Sequence, residues 1–268
     1  MCPACNVRGV GLSSGDQGRG DVDDEQPLKR LRRSCLVVPG HSETQLKGAA
    51  RFPADELIMD LADSVERSQK DTTRATVINA LESHAFGEQI VSVRINPIDS
   101  MWAYRDVVDL VERVGEFVDC IVIPGVQVPG DIEFVDHLLR MIEQRIDLAH
   151  RIGIEAQIDG AQGLTLVDDI AIASDRLEAL IFHAGGMVAA LRSNPGGYSP
   201  GDPLHAVRMR VLVAARTAEL QAIDVGTLDA SQDGYTAAAQ RSRALGFDGT
   251  WCTHPNQIRA ANESYSLT

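Results

Sequence analysis

Two short apolar runs in the sequence end in residues that could carry out acid–base chemistry. The first, residues 152–158, ends in the carboxylate of Asp159, and a helical pattern begins at Thr165. The second, residues 177–182, ends in His183. An apolar run that ends in a polar residue before a helix is typical of a buried parallel strand, which delivers that residue to its carboxyl end. We therefore expect Asp159 and His183 to lie side by side at one edge of a sheet, where the chemistry of the protein takes place.

Each of these candidate residues has more than one role open to it. Asp159 could be a metal ligand, a general base or the ion-pair partner of a nearby arginine. His183 could be a general acid or base near neutral pH, a ligand for a softer divalent ion, or a hydrogen-bonded structural residue. Arg94, near the end of a third apolar run, is either a functional cation or a partner for Asp60 or Asp159. Asp60 and Asp63 are expected to pair with arginines.

The elements that must position these side chains follow a regular order. Between residue 34 and the end of the chain, apolar strand-like runs alternate with helical patterns, and the helix near residues 104–114 has a clear apolar stripe. The strand-like runs are 35–38, 56–60, 89–95, 120–123, 153–158, 177–182, 221–224 and 249–253. Eight such alternations predict an α/β fold, the (β/α)8 TIM barrel, followed by a C-terminal helical segment. The strand carboxyl ends would then surround the site.

Composition limits the class of protein further. A chain of 268 residues with 44% hydrophobic residues suits one large barrel domain, predicted over residues 29–268. A net charge of -13 argues against nucleic acid or an anionic membrane as a partner. Neither a membrane-spanning run nor a secretory signal pattern is found, so we expect a cytoplasmic protein.

The first 28 residues and the cysteines carry little chemistry. Residues 1–28 are rich in Gly, Ser and Asp and are predicted to be a disordered tail. The tail contains Cys2 and Cys5, but no second pair stands at zinc-site spacing. The other three cysteines lie in apolar runs and are expected to be small buried thiols; they are Cys35, Cys120 and Cys252.

Six motifs at the strand ends point to one family. They are R-R-S-C-L-V-V-P-G at 32–40, D-L-A-D-S-V at 60–65, V-R-I-N at 93–96, I-V-I-P-G-V-Q-V-P-G at 121–130, E-A-Q-I-D-G-A-Q-G-L at 155–164 and C-T-H-P-N-Q-I at 252–258. In this order they resemble the HpcH/HpaI aldolase and citrate lyase β-subunit superfamily, nearest its malyl-CoA and citramalyl-CoA lyase branch. The resemblance covers the chain from about residue 31 to its end.

The resemblance implies an activity and a site. Members of this family are trimeric or hexameric barrels that cleave or form a carbon–carbon bond β to a thioester carbonyl. Their site holds Mg²⁺ on one glutamate and one aspartate, each at a strand tip, and the metal stabilises the enolate-like charge. The resemblance also implies that Arg94 neutralises the oxyanion, and that Arg33, with Arg32 as the competing assignment, binds the substrate carboxylate.

Several of these positions depart from the family pattern. The metal-binding glutamate is Asp159, which is one methylene shorter, and the family tip G-P-G-D is His183-Ala184-Gly185-Gly186, so that Gly186 replaces the second metal carboxylate. Ala62 and Gln127 stand where the family has glutamates, and Gly125 replaces a lysine. Since one of two carboxylates is lost, we expect Mg²⁺ binding to be weakened by a few kcal/mol, about the cost of removing a charged partner.

The sequence therefore predicts a citrate-lyase-like carbon–carbon lyase with a rebuilt site that needs no tightly bound Mg²⁺. It would act on an acyl thioester or a β-hydroxy or β-keto carboxylate, with Arg94 stabilising the oxyanion and Asp159 or His183 moving the proton. The predicted substrate-binding residues are Arg33, Asp60, Gly185 and Gly186. Partners are expected to be this small-molecule substrate and further copies of the chain in a homotrimer or homohexamer.

Two alternatives remain at this stage. One is a non-catalytic barrel with a binding or regulatory role. The other is an ordinary Mg²⁺-dependent malyl-CoA-type lyase in which Asp159 is a metal ligand.

Overall fold

The eight predicted strands form a closed parallel barrel in which each strand pairs with its neighbours along the chain and β8 pairs with β1. A computed structural model describes residues 30–83, 86–193, 204–226 and 231–266. The strands are β1 Ser34–Pro39, β2 Glu56–Asp60, β3 Ile90–Arg94, β4 Cys120–Ile123, β5 Gly153–Ile158, β6 Leu177–His183, β7 Gln221–Val225 and β8 Gly249–Cys252. The (β/α)8 prediction is confirmed.

Helices surround the barrel on its outer side. They are α1 Glu43–Ala49, α2 Lys70–Ser83, α3 Ala103–Val114, α4 Pro129–Ile146, α5 Ala161–Thr165, α6 Val167–Ala171, α7 Ala184–Ala190, α8 His205–Thr217, α9 Gln232–Leu245 and α10 Ile258–Tyr265. The last of these is the predicted C-terminal helical segment, and it begins after a short 3₁₀ turn at Pro255–Gln257.

The strands form because apolar runs are covered on both faces. Every residue of β2, β3 and β5 is buried, which matches a parallel sheet with side chains inside the barrel and helices outside. On the outer face, α3 buries its predicted stripe, which includes Val107, Leu110 and Val111. The stripe fixes the helix against the sheet.

A separate apolar cluster fills the interior of the barrel. Its members come from six strands and from no helix: Cys35, Ile58, Val122, Ala179, Ile181, Ile223 and Trp251. Val37 and Val225 pack against this cluster and are half-buried. Inward side chains packed in layers make the barrel a solid support for groups at its two ends.

Two parts of the predicted helix pattern differ in the structure. The helical pattern predicted from Thr165 belongs to two short helices, α5 and α6, which are divided at Leu166, and the first of them begins earlier, at Ala161. Helix α7 was not predicted, because its first turn contains Gly185 and Gly186, which have low helix propensity. It forms after His183, whose ring accepts a hydrogen bond from the backbone N–H of Gly186 and so caps the first turn.

The three cysteines in apolar runs are free thiols and are buried, as predicted. The barrel is one compact unit, Leu31–Thr268. The predicted disordered tail and its two cysteines lie outside the described residues. Among the described residues, no helix is both long and apolar enough to cross a membrane.

Candidate active site

Arg94 lies at the centre of the groups that meet at the carboxyl end of the barrel. It is the last residue of β3 and is 3% exposed. Its Nη1 lies 3.1 Å from Asp60 Oδ1, and its Nη2 lies 2.7 Å from Asp63 Oδ2. Its Nε donates to Gln157 Oε1 at 3.1 Å, and the guanidinium carbon lies 5.4 Å from the centroid of the Trp251 ring. Four strand ends thus converge on one cation, and two aspartates balance its charge.

Asp60 braces the loop that follows β2. Its Oδ1 accepts the backbone N–H of Ala62 at 2.9 Å, and its Oδ2 accepts that of Ser64 at 2.8 Å. The buried ammonium of Lys70 donates to the carbonyls of Leu61 and Ala62 at 2.8 and 2.6 Å. Both oxygens of Asp60 are therefore engaged within the protein, and a contact between Asp60 and substrate stays a prediction.

Asp159 follows β5 directly and is half-buried. Its Oδ2 accepts a hydrogen bond from Gln157 Nε2 at 2.8 Å, so that Gln157 links Asp159 to Arg94. Gly125, with a φ of 63°, lies across from the carboxylate: a Cβ built there would be 3.7 Å from Oδ1. The missing side chain at Gly125 leaves one side of Asp159 open.

His183 ends β6 beside Asp159. Its Nδ1 accepts the backbone N–H of Gly186 at 3.1 Å, so the neutral ring carries its proton on Nε2. Burial lowers the pKa of His183 and Arg94 lowers it further, against the opposing effect of Asp159 and Asp63. At neutral pH the ring is thus an uncharged hydrogen-bond donor.

Position 186 lies between these two side chains. A Cβ built on Gly186 would be 2.6 Å from Asp159 Cβ and 3.1 Å from His183 Nδ1. Gly185 is exposed and faces the His183 ring. The structure therefore brings together six of the seven predicted site residues, and the glycines allow the close approach of Asp159 and His183.

Arg33 lies at the other end of the barrel. It precedes β1 and pairs through both Nε and Nη2 with Asp55, which precedes β2, each at 2.8 Å. The starts of parallel strands share one end of a barrel, opposite the end where Arg94 lies. The predicted place of Arg33 at the substrate site is therefore wrong, and the ion pair with Asp55 accounts for its charge.

Arg32, the competing assignment, lies at this amino end too, inside the barrel. It is 2% exposed, and its Nε donates to Glu155 Oε1 at 2.9 Å. Its Nη2 donates to Glu178 Oε2 at 2.5 Å, and its Nη1 donates to Gln221. Glu56 Oε2 lies 3.7 Å from Arg32 Nε. We call these five residues the floor cluster; it is separate from the candidate site.

The described residues do not fit the Mg²⁺ site that the family resemblance implies. Mg²⁺ requires oxygen ligands in near-octahedral geometry. Asp159 offers a single carboxylate, Gly186 offers none, and Asp63 is held by Arg94. Within 30–83, 86–193, 204–226 and 231–266, no group of three or more His, Cys, Asp or Glu residues is placed to hold a metal ion.

Three residues of this site were missed from the sequence. Gln157 lies on β5 two residues before Asp159, so both side chains point to the same side of the strand. The presence of a polar residue in an otherwise apolar run was the sequence signal that could have indicated Gln157. Trp251 on β8 has its ring centroid 6.3 Å from that of His183. Lys70, 9% exposed at the start of α2, had no signal in the sequence pattern.

Comparison with known proteins gives a consistent result. Residues 33–255 match the family model described as HpcH/HpaI aldolase/citrate lyase. The L-malyl-CoA/β-methylmalyl-CoA lyase of Cereibacter sphaeroides is 33% identical over 256 residues, which are 90% of this chain and 80% of that protein. The citrate lyase subunit beta of Escherichia coli is 33% identical over 247 residues, 91% of this chain and 80% of the relative.

A solved structure extends the similarity to the fold. The citrate lyase β subunit of Mycobacterium tuberculosis, complexed with oxaloacetate and magnesium, aligns with a TM-score of 0.72 and 25% identity. The alignment covers 89% of this chain and 99% of that chain.

Proposed function

Because the chain belongs to the HpcH/HpaI aldolase/citrate lyase family, we propose that it cleaves or forms the carbon–carbon bond β to the carbonyl of an acyl thioester. The observation that carries this proposal is the approach of Asp159 and the uncharged His183 ring on either side of Gly186, with Asp159 linked to Arg94 through Gln157. A base and a neutral hydrogen-bond donor that meet at adjacent strand ends are the groups that an aldol-type cleavage needs.

The cleavage begins with proton removal at Asp159. The half-buried carboxylate takes the proton of the substrate β-hydroxyl, and the bond between the α and β carbons breaks. The β carbon leaves as a carbonyl product, and the electron pair moves into the thioester, which becomes an enolate. The proton held by Asp159 then returns to the α carbon, so atoms and charge balance.

His183 stabilises the enolate oxygen in this scheme. Its Nε2–H is a donor because Nδ1 is occupied by Gly186, and the lowered pKa of the ring keeps it uncharged. Such a donor is fixed before the reaction and therefore needs no reorganisation as charge develops. Arg94 holds Gln157, and Gln157 in turn orients Asp159 through its amide group.

A non-catalytic binding barrel is the second candidate, because Gly186 removes a carboxylate that the family pattern includes. The family's Mg²⁺-dependent reaction would require a donor set that differs from the described one. Turnover distinguishes the proposed lyase from the binding barrel. Turnover without Mg²⁺ distinguishes the proposed lyase from the family's Mg²⁺-dependent reaction.

The experiment is a cleavage assay on β-hydroxyacyl-CoA thioesters, each with Mg²⁺ and with EDTA. We expect turnover that resists EDTA, with kcat lowered about 100-fold or more in His183→Ala and in Asp159→Asn. His137→Ala is the matched control, because His137 is an exposed histidine on α4. Turnover abolished by EDTA would favour the metal-dependent reaction. The absence of turnover on every thioester would favour the binding barrel.

A further inference from the structure

The cations at the carboxyl end of the barrel are already engaged by protein groups. Arg94 is paired with Asp60 and Asp63, and Lys70 donates to two backbone carbonyls. Arg67 is exposed, and its guanidinium carbon lies 5.3 Å from the centroid of the Trp102 ring. None of these three is positioned as a spare positive charge beside Asp159.

Two other cations are found near this end of the barrel: Arg208 on α8 is buried and paired with Asp224, and Arg192 is exposed and comes after α7. By sequence, neither lysine nor arginine occurs in the connections 40–42, 95–102, 124–128, 159–160 or 226–231. The carboxylate of Asp159, by contrast, lies at the site itself. Arg94, the cation that is linked to Asp159 through Gln157, is therefore already paired, which disfavours a second carboxylate beside Asp159.

Asp63 is the residue that keeps Arg94 from binding a ligand carboxylate. It is 73% exposed, and its Oδ2 lies 2.7 Å from Arg94 Nη2, the geometry that a substrate carboxylate would otherwise take. Partial burial would raise the pKa of Asp63, but Arg94 outweighs this and holds that pKa below its usual value. The pair therefore stays ionised at neutral pH.

Apolar surface is available at the same place. Trp251 stacks on Arg94 and approaches His183, and the residue is 7% exposed. Val37 and Val225 pack against the cluster that contains Trp251 and remain half-buried, so they are in part accessible. An uncharged group on the substrate would replace water on this surface.

From these contacts we infer the substrate class: a β-hydroxyacyl thioester whose β carbon carries an uncharged group rather than a carboxylate, so that cleavage releases a neutral aldehyde or ketone. The inference rests on the proposed function and goes beyond it, since it identifies the end of the substrate that the barrel recognises. A carboxylate at this carbon would face Asp159 with Arg94 already paired. A methyl or larger alkyl group would instead lie against Trp251.

A matched pair of ligands tests the inference. Malyl-CoA and 3-hydroxybutyryl-CoA share one skeleton, with a carboxylate in the first where the second has a methyl group. Calorimetric titration in EDTA should give a dissociation constant at least about tenfold lower for 3-hydroxybutyryl-CoA, as an unpaired charge beside a like charge costs at least this factor. Release of acetyl-CoA is measured in parallel.

Asp63→Asn supplies the second arm. The substitution frees Arg94 Nη2 for a ligand, so the preference for 3-hydroxybutyryl-CoA over malyl-CoA should fall about tenfold. Asp71→Asn is the control, because Asp71 is also an exposed aspartate paired with an arginine, Arg74, but on α2. It should leave the preference unchanged.

The outcomes separate the two proposals. Equal or tighter binding of malyl-CoA in EDTA would overturn the inferred substrate class, as would binding of malyl-CoA restored by Mg²⁺. Tighter binding of 3-hydroxybutyryl-CoA without release of acetyl-CoA would support the charge preference but overturn the proposed lyase activity. Binding of neither thioester would overturn both.

Discussion

Replacement of Glu155 by glutamine should stabilise the protein, and more so as the pH rises. Glu155 is fully buried in the floor cluster, where three glutamates share the single positive charge of Arg32. Burial raises the pKa of Glu155 well above its ordinary value, and Glu56 raises it further, against the opposing effect of Arg32. The native protein thus binds a proton at Glu155 more tightly than the unfolded chain does.

The sign and size of the effect follow from this proton. Since the native pKa is above the unfolded one, stability is complete at acidic pH and is lost as pH rises between the two values. The loss is at most about 1.4 kcal/mol per pH unit, or about 2.7 kcal/mol between pH 6 and 8. A glutamine at position 155 resembles protonated Glu155. Its side-chain carbonyl can accept the hydrogen bond from Arg32, and its amide N–H can donate to Glu56 as the carboxyl proton would.

The assay is thermal unfolding of wild type and Glu155→Gln from pH 6 to 8. For a barrel of this size, the gap in Tm should widen over that range, by at most roughly 5–10 °C. Glu178→Gln is the control, because Glu178 also contacts Arg32 but is 34% exposed; its gap should stay nearly constant. A gap between wild type and Glu155→Gln that does not change with pH would refute the reasoning, since it would mean that Glu155 is ionised in the native protein.

Three further predictions concern the site and its support. The acid limb of the pH profile of kcat/KM should lie below the ordinary histidine pKa of about 6.5, because burial and Arg94 lower the pKa of His183; a limb above 6.5 would contradict this. Arg94→Lys should lower kcat by about 100-fold while the Tm changes little, because an ammonium cannot contact Asp63 and Gln157 at the same time. An unchanged kcat in steady-state kinetics would argue against this role of Arg94. Arg176→Met should cost about 3–5 kcal/mol in urea unfolding, because Glu143 loses its buried partner; a loss under about 1 kcal/mol would disprove this account.

The sequence predicted the barrel because each strand is covered on both faces. The run 120–123 coincides with β4, and the runs 56–60 and 153–158 coincide with β2 and β5. A run buried on both faces is apolar except where an inward side chain is paired, as Glu155 and Gln157 are on β5, so its ends are visible without knowledge of its neighbours. The closed order of strands then followed from the regular alternation with helices.

The site was predictable where it depends on the position of a residue along one strand. Arg94, Asp159 and His183 were found in this way, and the same rule places Arg33 at the opposite end, because it comes before β1 rather than after it. The pairing of Arg94 with Asp63 could not be derived, since it depends on the path of the loop after β2. Helix α7 could not be derived either, because its formation depends on the cap by His183.

The departures that the family resemblance implies at positions 159 and 186 meet at one contact in the structure. A Cβ on Gly186 would lie 2.6 Å from Asp159 Cβ, closer than real Cβ atoms approach, so the first turn of α7 occupies space that a side chain at 186 would need. A lengthened side chain at 159 would leave that contact in place, because its Cβ does not move. If a metal ligand had simply been lost, the backbone would still leave room for a Cβ at 186. In this structure the turn is packed against Asp159 and capped by His183, the arrangement that the proposed rebuilt site requires.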